Sequence, residues 1–357
     1  MEKLNVLITG MGGPLGMSVF KALLMSQLPV NIIGTDISAR SYGLYLVDKA
    51  YILPHSRKDP KSYLNALCEI VKKDNVNVIF PCSEDEMIAL SMNLDLFAQF
   101  NCSISVPLPH LIEKVMDKYL LNQELLKGGF LVPDSIIPTS KEIDDFLKVH
   151  GYPVILKARR DSGSRHLFRI QNHDELEFFS RYVKDPIIQE LLLPDDEEYT
   201  VGVFIAPEER GEGTIILKRE LAAGLTFKAE VVHNELIADT CLRAVKYLGL
   251  VGPNNVQLRL TEEGPKIFEI NPRFSSTTVI RAFYGFNEPE LFIRAMVLKE
   301  EVYPTHASSG VALRMWDELY VDTKVVNNLE KRRIGSNLNF SAGIHLGQIN
   351  RRRSKRP

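Results

Sequence analysis

The sequence predicts an α/β domain with a βαβ opening, followed by an α+β region. Near the start, an apolar strand over 4–9, a glycine-rich turn and a helix over 17–25 lead into a second strand over 31–35. Later, two apolar runs over 251–260 and 265–271 flank the turn at 262–264 and indicate a β-hairpin. The length of 357 residues fits two or three domains.

Composition is that of an ordinary globular protein, with 45% hydrophobic and 25% charged residues. A net charge of -2 gives no overall reason to expect nucleic-acid or membrane binding. No apolar run is long enough for a transmembrane helix, and the N-terminus does not resemble a signal peptide, so we expect a cytoplasmic protein. The cysteines lack C-x-x-C spacing and are expected to be free thiols: Cys68, Cys82, Cys102 and Cys241.

The turn over 10–16, Gly-Met-Gly-Gly-Pro-Leu-Gly, is followed by Asp36 about 20 residues later, as in dinucleotide-binding sites. Its spacing is G-x-G-x-x-x-G rather than G-x-G-x-x-G. Glycines also serve tight turns and close helix–strand packing, whatever binds. Two interpretations stay open: an NAD site, or a structural or substrate-side role for Gly12 and Gly13.

A second loop in the first domain is rich in acids. The strand over 76–81 ends before Cys82-Ser83, and Glu84, Asp85 and Glu86 follow it. Ligands bind beyond the carboxyl ends of parallel strands, so these acids could meet a substrate ammonium group. The alternative is a helix N-terminal turn that is enriched in acids because of the helix dipole. We expect this domain to end between 107 and 111.

Two lysines stand where a phosphate could bind. Residues 112–127 have a helical period and contain Lys118, which taken alone would be a surface residue. Lys157 is embedded in an apolar strand over 153–158, where its charge needs a partner such as a phosphate. The small, basic loop over 159–166 holds Ser162, Gly163 and Ser164 and could fold over phosphates, although it is not a Walker A sequence. An ordinary basic hairpin is the alternative.

A strand over 186–190 ends in Gln189-Glu190, and Leu191, Leu192 and a run of acids over 195–198 follow. Such a sequence can form an adenosine site. Backbone groups would contact the adenine edge, the leucines would sandwich the ring, and a carboxylate would bind the ribose hydroxyls. The acids could equally form a solvated loop.

The 265–278 stretch carries the most specific chemistry. Glu269 and Asn271 share one face of a strand, and Gln257 on the partner strand could face them. These oxygen ligands suit Mg²⁺, and Arg273 could bind a phosphate. Ser275, Ser276 and two threonines then lead into a helix whose N-terminus favours anions. The alternative is the solvent face of an edge strand.

Together these features resemble the ATP-grasp superfamily, in particular the synthetase domains of the carbamoyl phosphate synthetase large chain. The resemblance covers about residues 1–300 and is most specific at Glu269-Ile270-Asn271-Pro272-Arg273 with Gln257 upstream. The single glycine and many cations of the loop over 159–166 depart from the family pattern. Only one synthetase unit is present, so carbamoyl phosphate synthesis itself is not expected.

The resemblance implies roles for individual residues. Lys118, Lys157 and the 162–164 loop would bind ATP phosphates, and Gln257, Glu269 and Asn271 would hold the metal. Glu190 with the backbone after it would contact adenine, and Glu198 would contact ribose. Arg273 would bind phosphate, and either Lys218 or Arg219 would be the basic residue of the active-site strand. Substrate contacts are expected among Gly12, Gly13, Glu84, Asp85, Ser275 and Ser276.

The resemblance also implies the domain organisation. Residues 1–111 would form a Rossmann-like pre-ATP-grasp domain, 112–185 subdomain A, and 186–300 subdomain B with the metal site. Residues 301–350 would form an extension that packs on the grasp domain. The tail over 351–357 is basic, is expected to be disordered and could touch a polyanion.

The implied activity is that of an ATP- and Mg²⁺-dependent ligase (Mn²⁺ being an alternative metal). It would join a small carboxylate, such as an amino acid, to an amine or thiol through an acyl phosphate, and release ADP and phosphate. The expected partners are these small molecules and a second copy of the chain, with no membrane and no nucleic acid. Two alternatives remain: an NAD-dependent oxidoreductase, and a catalytically silent ATP-binding sensor.

Overall fold

The structure, a computed structural model, describes residues 2–138, 140–160, 166–304, 309–315 and 317–338. The strands are β1 Leu4–Ile8, β2 Val30–Asp36, β3 Lys49–Ile52, β4 Val78–Phe80, β5 Ser103–Ile104, β6 Ser135–Ile136, β7 Val154–Ala158, β8 Leu167–Ile170, β9 Pro186–Glu190, β10 Glu198–Ile205, β11 Glu212–Ala222, β12 Leu225–Val232, β13 Gly252–Thr261, β14 Gly264–Asn271, β15 Gly310–Leu313 and β16 Ile334–Ser336. The helices are α1 Pro14–Met25, α2 Pro60–Lys73, α3 Glu84–Ser91, α4 Pro109–Met116, α5 Lys118–Lys127, α6 Ser140–His150, α7 His173–Tyr182, α8 Glu235–Tyr247, α9 Thr278–Phe283, α10 Glu288–Phe292 and α11 Thr323–Arg332. None of the helices described is long and apolar enough to cross a membrane.

The described residues form two compact units, of which the first holds residues 2–20, 27–104, 315 and 317–338. Its sheet has the order β16-β3-β2-β1-β4-β5. Strands β1 to β5 are parallel, with Val6 opposite both Ile32 and Val78. The central strands are largely buried, with Val6, Leu7 and Ile8 at 0% exposure, because helices connect parallel strands and cover their faces. This is the Rossmann-like arrangement that the βαβ pattern predicts.

The segment after 300 differs from the organisation expected for 301–350. Strand β15 pairs with β12 in the second unit, whereas β16 pairs antiparallel with β3 in the first. The N–H of Ile52 also donates to the carbonyl of Arg333 at 2.9 Å, just before β16. The edge of β3 would otherwise leave backbone groups unpaired, and β16 satisfies them. Residues 339–357, including the basic tail, lie outside the described part of the chain.

The second unit, residues 21–26 and 105–314, contains two antiparallel sheets. The smaller has the order β6-β9-β7-β8, and the larger has the order β14-β13-β10-β11-β12-β15. One face of the larger sheet packs against α8, α4 and α5 around apolar residues such as Val201, Val256 and Cys241. Side chains alternate across a strand, so the other face carries the polar residues of β10, β11, β13 and β14.

The predicted helix over 112–127 is in fact two helices, α4 and α5, that are separated at Asp117. This residue is extended (φ -98°, ψ 109°), and its carboxylate accepts hydrogen bonds from the N–H groups of Tyr119 and Leu120. Aspartate is a strong N-cap, so a new helix begins at Lys118 although the apolar period continues. Helix α10 is followed directly by a π-helical turn over 293–297.

Candidate active site

The β13–β14 hairpin brings the three predicted metal ligands together. Gln257 lies opposite Glu269, and Asn271 follows two residues further along β14. The turn closes with Thr261 Oγ1 donating to the carbonyl of Gly264, whose φ of +129° favours glycine. Asn271 Nδ2 donates to Glu269 Oε1 at 2.9 Å, and Arg273 Nη2 donates to Asn271 Oδ1 at 3.2 Å. The carboxylate, the amide and the guanidinium therefore form one connected group.

Two buried lysines set the charge of this group. Lys118 is 9% exposed and Lys157 is 6% exposed. Burial alone would raise the pKa of Glu269, but the charges of Lys118 and Lys157 outweigh it and the net shift is downward. Burial lowers the pKa of Lys157 to about 8, although Glu269 and Glu198 oppose this. Its ammonium lies 5.6 Å from the centre of the Phe268 ring. Glu269, which is partly buried, is thus held as an anion.

Asp117, which the sequence analysis did not single out, ties Lys118 to the strand that carries Lys157. Its carboxylate accepts from Arg159 Nη2 at 2.7 Å and from Nε at 3.1 Å. The N–H of Lys118 donates to the carbonyl of Arg159, which directly follows β7. Burial would raise the pKa of Asp117, but Arg159 and the backbone donors outweigh it and the pKa is lowered. An aspartate ahead of a helix is a recognisable N-cap signal, which could have revealed it.

The predicted adenine residues lie at the end of β9. Gln189 Nε2 donates to Ser135 Oγ at 2.7 Å, and Glu190 Oε1 accepts from the N–H of Asp134 at 2.9 Å. Lys266 Nζ, from β14, also donates to Glu190 Oε1, at 2.8 Å. Leu191 is half-buried and Leu192 is buried. Lys266 is a second residue that sequence reasoning missed, because its partner is 76 positions away.

Of the two adjacent cations on β11, Arg219 is the one on the face of the candidate site. It donates through Nη2 to Glu198 Oε1 and to Gln257 Oε1, both at 2.7 Å. Lys218 points to the opposite side of the strand, where it pairs with Glu197. The other oxygen of Glu198 accepts from Arg259 Nη2 at 2.6 Å. The predicted ribose carboxylate therefore lies between two guanidinium groups.

The hydroxyl residues after Arg273 bond mainly to one another. Ser275 Oγ and Thr277 Oγ1 are 2.6 Å apart, and the N–H of Ser275 donates to Thr278 Oγ1. The guanidinium of Arg314 donates to the carbonyl of Ser276. Helix α9, which begins at Thr278, has only six residues. Ser162, Gly163 and Ser164 lie outside the described residues.

In the first unit, the glycine turn is bound to Asp36. Its Oδ2 accepts from the N–H of Gly12 at 2.6 Å, and Oδ1 accepts from the N–H of Ile37. The N–H of Gly13 donates to the carbonyl of Gly10. The acid that an NAD site would use for ribose is thus engaged by the loop itself, which weighs against the NAD interpretation.

The acids after β4 form the first turn of α3, where Ser83 is the N-cap. Glu86 is 7% exposed and accepts from Thr9 Oγ1 and Ser83 Oγ at 2.7 and 2.6 Å. Burial raises the pKa of Glu86, although these hydrogen bonds oppose the shift. Glu84 and Asp85 are partly exposed. Glu86 therefore joins the ends of β1 and β4 rather than facing solvent.

Two family models match the chain. Residues 183–319 match "ATP-grasp in the biosynthetic pathway with Ter operon", and residues 6–105 match "PylC-like, N-terminal domain". The chain contains an ATP-grasp domain.

Among curated proteins, the chain is 21% identical over 291 residues to the carbamoyl phosphate synthase large chain of Pyrococcus furiosus, a match that covers 74% of this chain and 26% of that protein. It is 20% identical over 304 residues to pyruvate carboxylase of Bacillus subtilis, covering 73% and 25%. The chain thus spans about a quarter of the length of these two relatives.

Solved ATP-grasp structures share the fold. The N5-carboxyaminoimidazole synthetase of Staphylococcus aureus, complexed with ADP, has a TM-score of 0.68 at 16% identity, covering 93% of this chain and 87% of that one. The biotin carboxylase domain dimer of Hydrogenobacter thermophilus 2-oxoglutarate carboxylase, with MgADP and bicarbonate, has a TM-score of 0.68 at 15% identity, covering 88% and 75%. The predicted family resemblance and fold class are confirmed, and the predicted use of ATP and Mg²⁺ agrees with these neighbours. None of these relatives supports the oxidoreductase alternative.

Proposed function

We propose that this chain is an ATP- and Mg²⁺-dependent ligase that activates a small carboxylate, such as an amino acid, for attack by an amine or a thiol. The observation that carries the proposal is the partly buried Glu269, whose pKa is lowered, among Gln257, Asn271 and the nearby cations Lys118 and Lys157. A buried carboxylate without a bound cation is costly unless fixed positive charges compensate it. Lys118 and Lys157 provide that charge and would also attract a triphosphate.

The donor set fits Mg²⁺. Among the described residues there is no cluster of three or more His, Cys, Asp or Glu side chains that could hold a metal. One carboxylate with amide oxygens suits Mg²⁺, since this ion commonly binds one or two carboxylates together with phosphates and water. Glu269, Asn271 and Gln257 would hold it, and Gln257 Oε1 would then share its lone pairs between the ion and Arg219. When bound, Mg²⁺ would neutralise charge on the transferring phosphoryl group.

The side chains can bind and orient both reactants. Lys118, Lys157 and Arg273 would fix the phosphates, and the end of β9 would receive the base. An oxygen of the substrate carboxylate attacks the γ-phosphorus, and ADP leaves with the electrons of the broken P–O bond. The resulting acyl phosphate is attacked at its carbonyl carbon by the amine, which forms the amide and releases phosphate and a proton. Positioning and fixed charge supply the catalysis.

The direct test measures ADP release from MgATP with pooled amino acids and other small carboxylates, with and without an amine pool. ADP that depends on a pool supports the ligase, and dividing the active pool identifies the substrate class. The biotin carboxylase neighbour is complexed with bicarbonate, so the pools include bicarbonate. Binding of ATP with no pool-dependent ADP would contradict the ligase proposal and favour the silent sensor.

Arg219 and Lys218 provide a matched pair of variants. We expect Arg219→Met to lower turnover by at least about 100-fold, since removing one charged donor from a catalytic site has effects of this size. Lys218→Met should keep turnover within about threefold of wild type, because its partly exposed pair with Glu197 contributes little. Turnover and the KM for ATP would be measured for both. Equal losses in the two variants would contradict the assignment of Arg219 to the site.

The titration of Lys157 predicts a pH dependence of nucleotide affinity. Its amine, with a pKa of about 8, loses its charge above that pH and with it the attraction for phosphates. The dissociation constant of MgADP should therefore rise up to about tenfold per pH unit between about pH 8 and 9.5. Bound phosphate raises the pKa of the amine, so binding should take up a proton in this range. Calorimetry in buffers of different ionisation enthalpy would detect it.

The control is Lys157→Arg, which keeps its charge throughout this range. Its nucleotide affinity should be nearly independent of pH, even if weaker than that of wild type. A wild-type affinity that does not change across this range would contradict a functional role for the Lys157 charge.

A further inference from the structure

Lys266 joins the hairpin that carries the candidate metal ligands to the strand that carries the predicted adenine residues. It lies on β14, is 7% exposed, and donates to Glu190 Oε1 on β9 at 2.8 Å. A second carboxylate, Glu263 in the exposed hairpin turn, is 3.3 Å away. Burial opposes the charge of Lys266, but Glu190 outweighs it and the pKa of Lys266 is raised. Burying a charge is costly unless it is paired, and Glu190 provides the partner.

The Glu190 carboxylate is held by one of its two oxygens. Oε1 accepts from Lys266 and from the N–H of Asp134, at 2.8 and 2.9 Å. The N–H of Glu190 donates in turn to the carbonyl of Asp134 at 3.0 Å. Within the described part of the chain, Oε2 makes no hydrogen bond. The side chain is thus fixed through Oε1, and Oε2 can still accept a hydrogen bond.

The distance along β14 from Lys266 to the candidate metal ligands is suited to the distance between the base and the phosphates of a nucleotide. Asn271, a candidate metal ligand, is five residues beyond Lys266, or roughly 17 Å along an extended strand. That separation is of the order of the length of a nucleoside triphosphate. Phosphates bound near Glu269 and Asn271 would therefore leave the base beside Glu190.

We propose that Lys266 is a positioning residue that fixes Glu190 so that its free oxygen accepts a hydrogen bond from the 6-amino group of adenine. The inference rests on the proposed function. The same oxygen would repel the 6-oxo group of guanine or hypoxanthine, which offers only another acceptor. A fixed polar group that one ligand satisfies and another leaves unpaired gives strong discrimination, whereas a mobile one does not. Lys266 would therefore determine base selectivity without touching the base.

The test measures dissociation constants of the Mg²⁺ complexes of ADP, GDP and IDP by calorimetry, which requires no knowledge of the carboxylate substrate. We expect Lys266→Met to lower the preference for ADP over GDP and over IDP by about tenfold or more. Lys266→Arg keeps a charged donor and should keep most of the preference. The matched control is Lys228→Met, which removes a lysine that also pairs with a glutamate across neighbouring strands but is about half exposed. It should bind all three nucleotides as wild type does.

A double-mutant cycle separates this role from a general loss of structure. If Lys266 acts through Glu190, the variant with both Lys266→Met and Glu190→Gln should discriminate no worse than Glu190→Gln alone. Unchanged base preference in Lys266→Met, with ADP still bound, would overturn the inference and leave the proposed function intact. A stronger preference for ADP in that variant would also overturn it, since Lys266 itself would then face the base. Failure of wild type to bind any nucleotide would overturn the proposed function and this inference together.

Discussion

Glu269→Ala should abolish pool-dependent ADP release, with a loss of at least about 1,000-fold. The change removes the only carboxylate among the three candidate metal ligands. It also leaves Lys118 and Lys157 without the anion that lowers the cost of burying their charges. Mg²⁺ would lose its one carboxylate ligand, and the transferring phosphoryl group would lose the ion that neutralises its charge. ADP release would be measured over a range of Mg²⁺ concentrations, since weakened metal binding alone would be partly overcome by excess metal.

Two further variants separate charge from shape. Glu269→Gln keeps the volume of the side chain and removes its charge, and it should be nearly as inactive as Glu269→Ala. Glu262→Ala removes an exposed carboxylate from the turn of the same hairpin and should leave turnover unchanged. Substantial ADP formation by Glu269→Ala would contradict the metal-ligand assignment, because Glu269 is the carboxylate that lies opposite Gln257 and accepts a hydrogen bond from Asn271.

The hairpin was predictable from sequence because every part of its signal is local. Two apolar runs, a short turn with a glycine and a period of two place Glu269 and Asn271 on one face and Gln257 opposite them. The choice between Lys218 and Arg219 is different. Their adjacency shows that they point to opposite faces, but only the pairing register with β10 decides which of them faces Gln257.

Contacts between distant elements could not be predicted. The Lys266–Glu190 pair links two sheets across 76 positions, and neither residue has a local pattern that indicates the other. The break at Asp117 was missed for the opposite reason, because the helical period of apolar residues continues across it while a single capping side chain restarts the helix. The pairing of β16 with β3 depends on an open sheet edge, which is a property of the folded unit.

A fully buried ion pair lies beneath the candidate site and gives the largest expected effect on stability. Arg281 and Glu288 are both 0% exposed, with Arg281 Nη1 3.0 Å from Glu288 Oε1. Arg281 Nη2 donates to Thr200 Oγ1 at 3.1 Å and to Asn255 Oδ1. Thr200 is paired with Gln257, and Asn255 with Asn271. The pair therefore braces β10 and β13, and β13 carries Gln257 and pairs with β14.

Arg281→Met should lower the free energy of unfolding by about 3–5 kcal/mol, because it leaves the Glu288 carboxylate buried without its partner. Replacing both residues by methionine should cost less than the single change, since no unpaired charge then remains. The control is Arg243→Met, which removes an exposed i,i+4 pair with Asp239 and should cost at most about 1 kcal/mol. Urea denaturation would compare the three variants.

The pH dependence of the stability of Arg281→Met tests independently whether the unpaired charge of Glu288 causes the destabilisation. Burial raises the pKa of Glu288 while Arg281 opposes the rise, so losing Arg281 should raise that pKa further. The native variant would then keep a proton that the unfolded chain releases above a pKa of about 4.3. Its stability should fall as pH rises from that value toward the folded pKa, more steeply than the stability of wild type. An equal deficit at every pH would mean that lost packing, rather than the buried charge, accounts for the destabilisation.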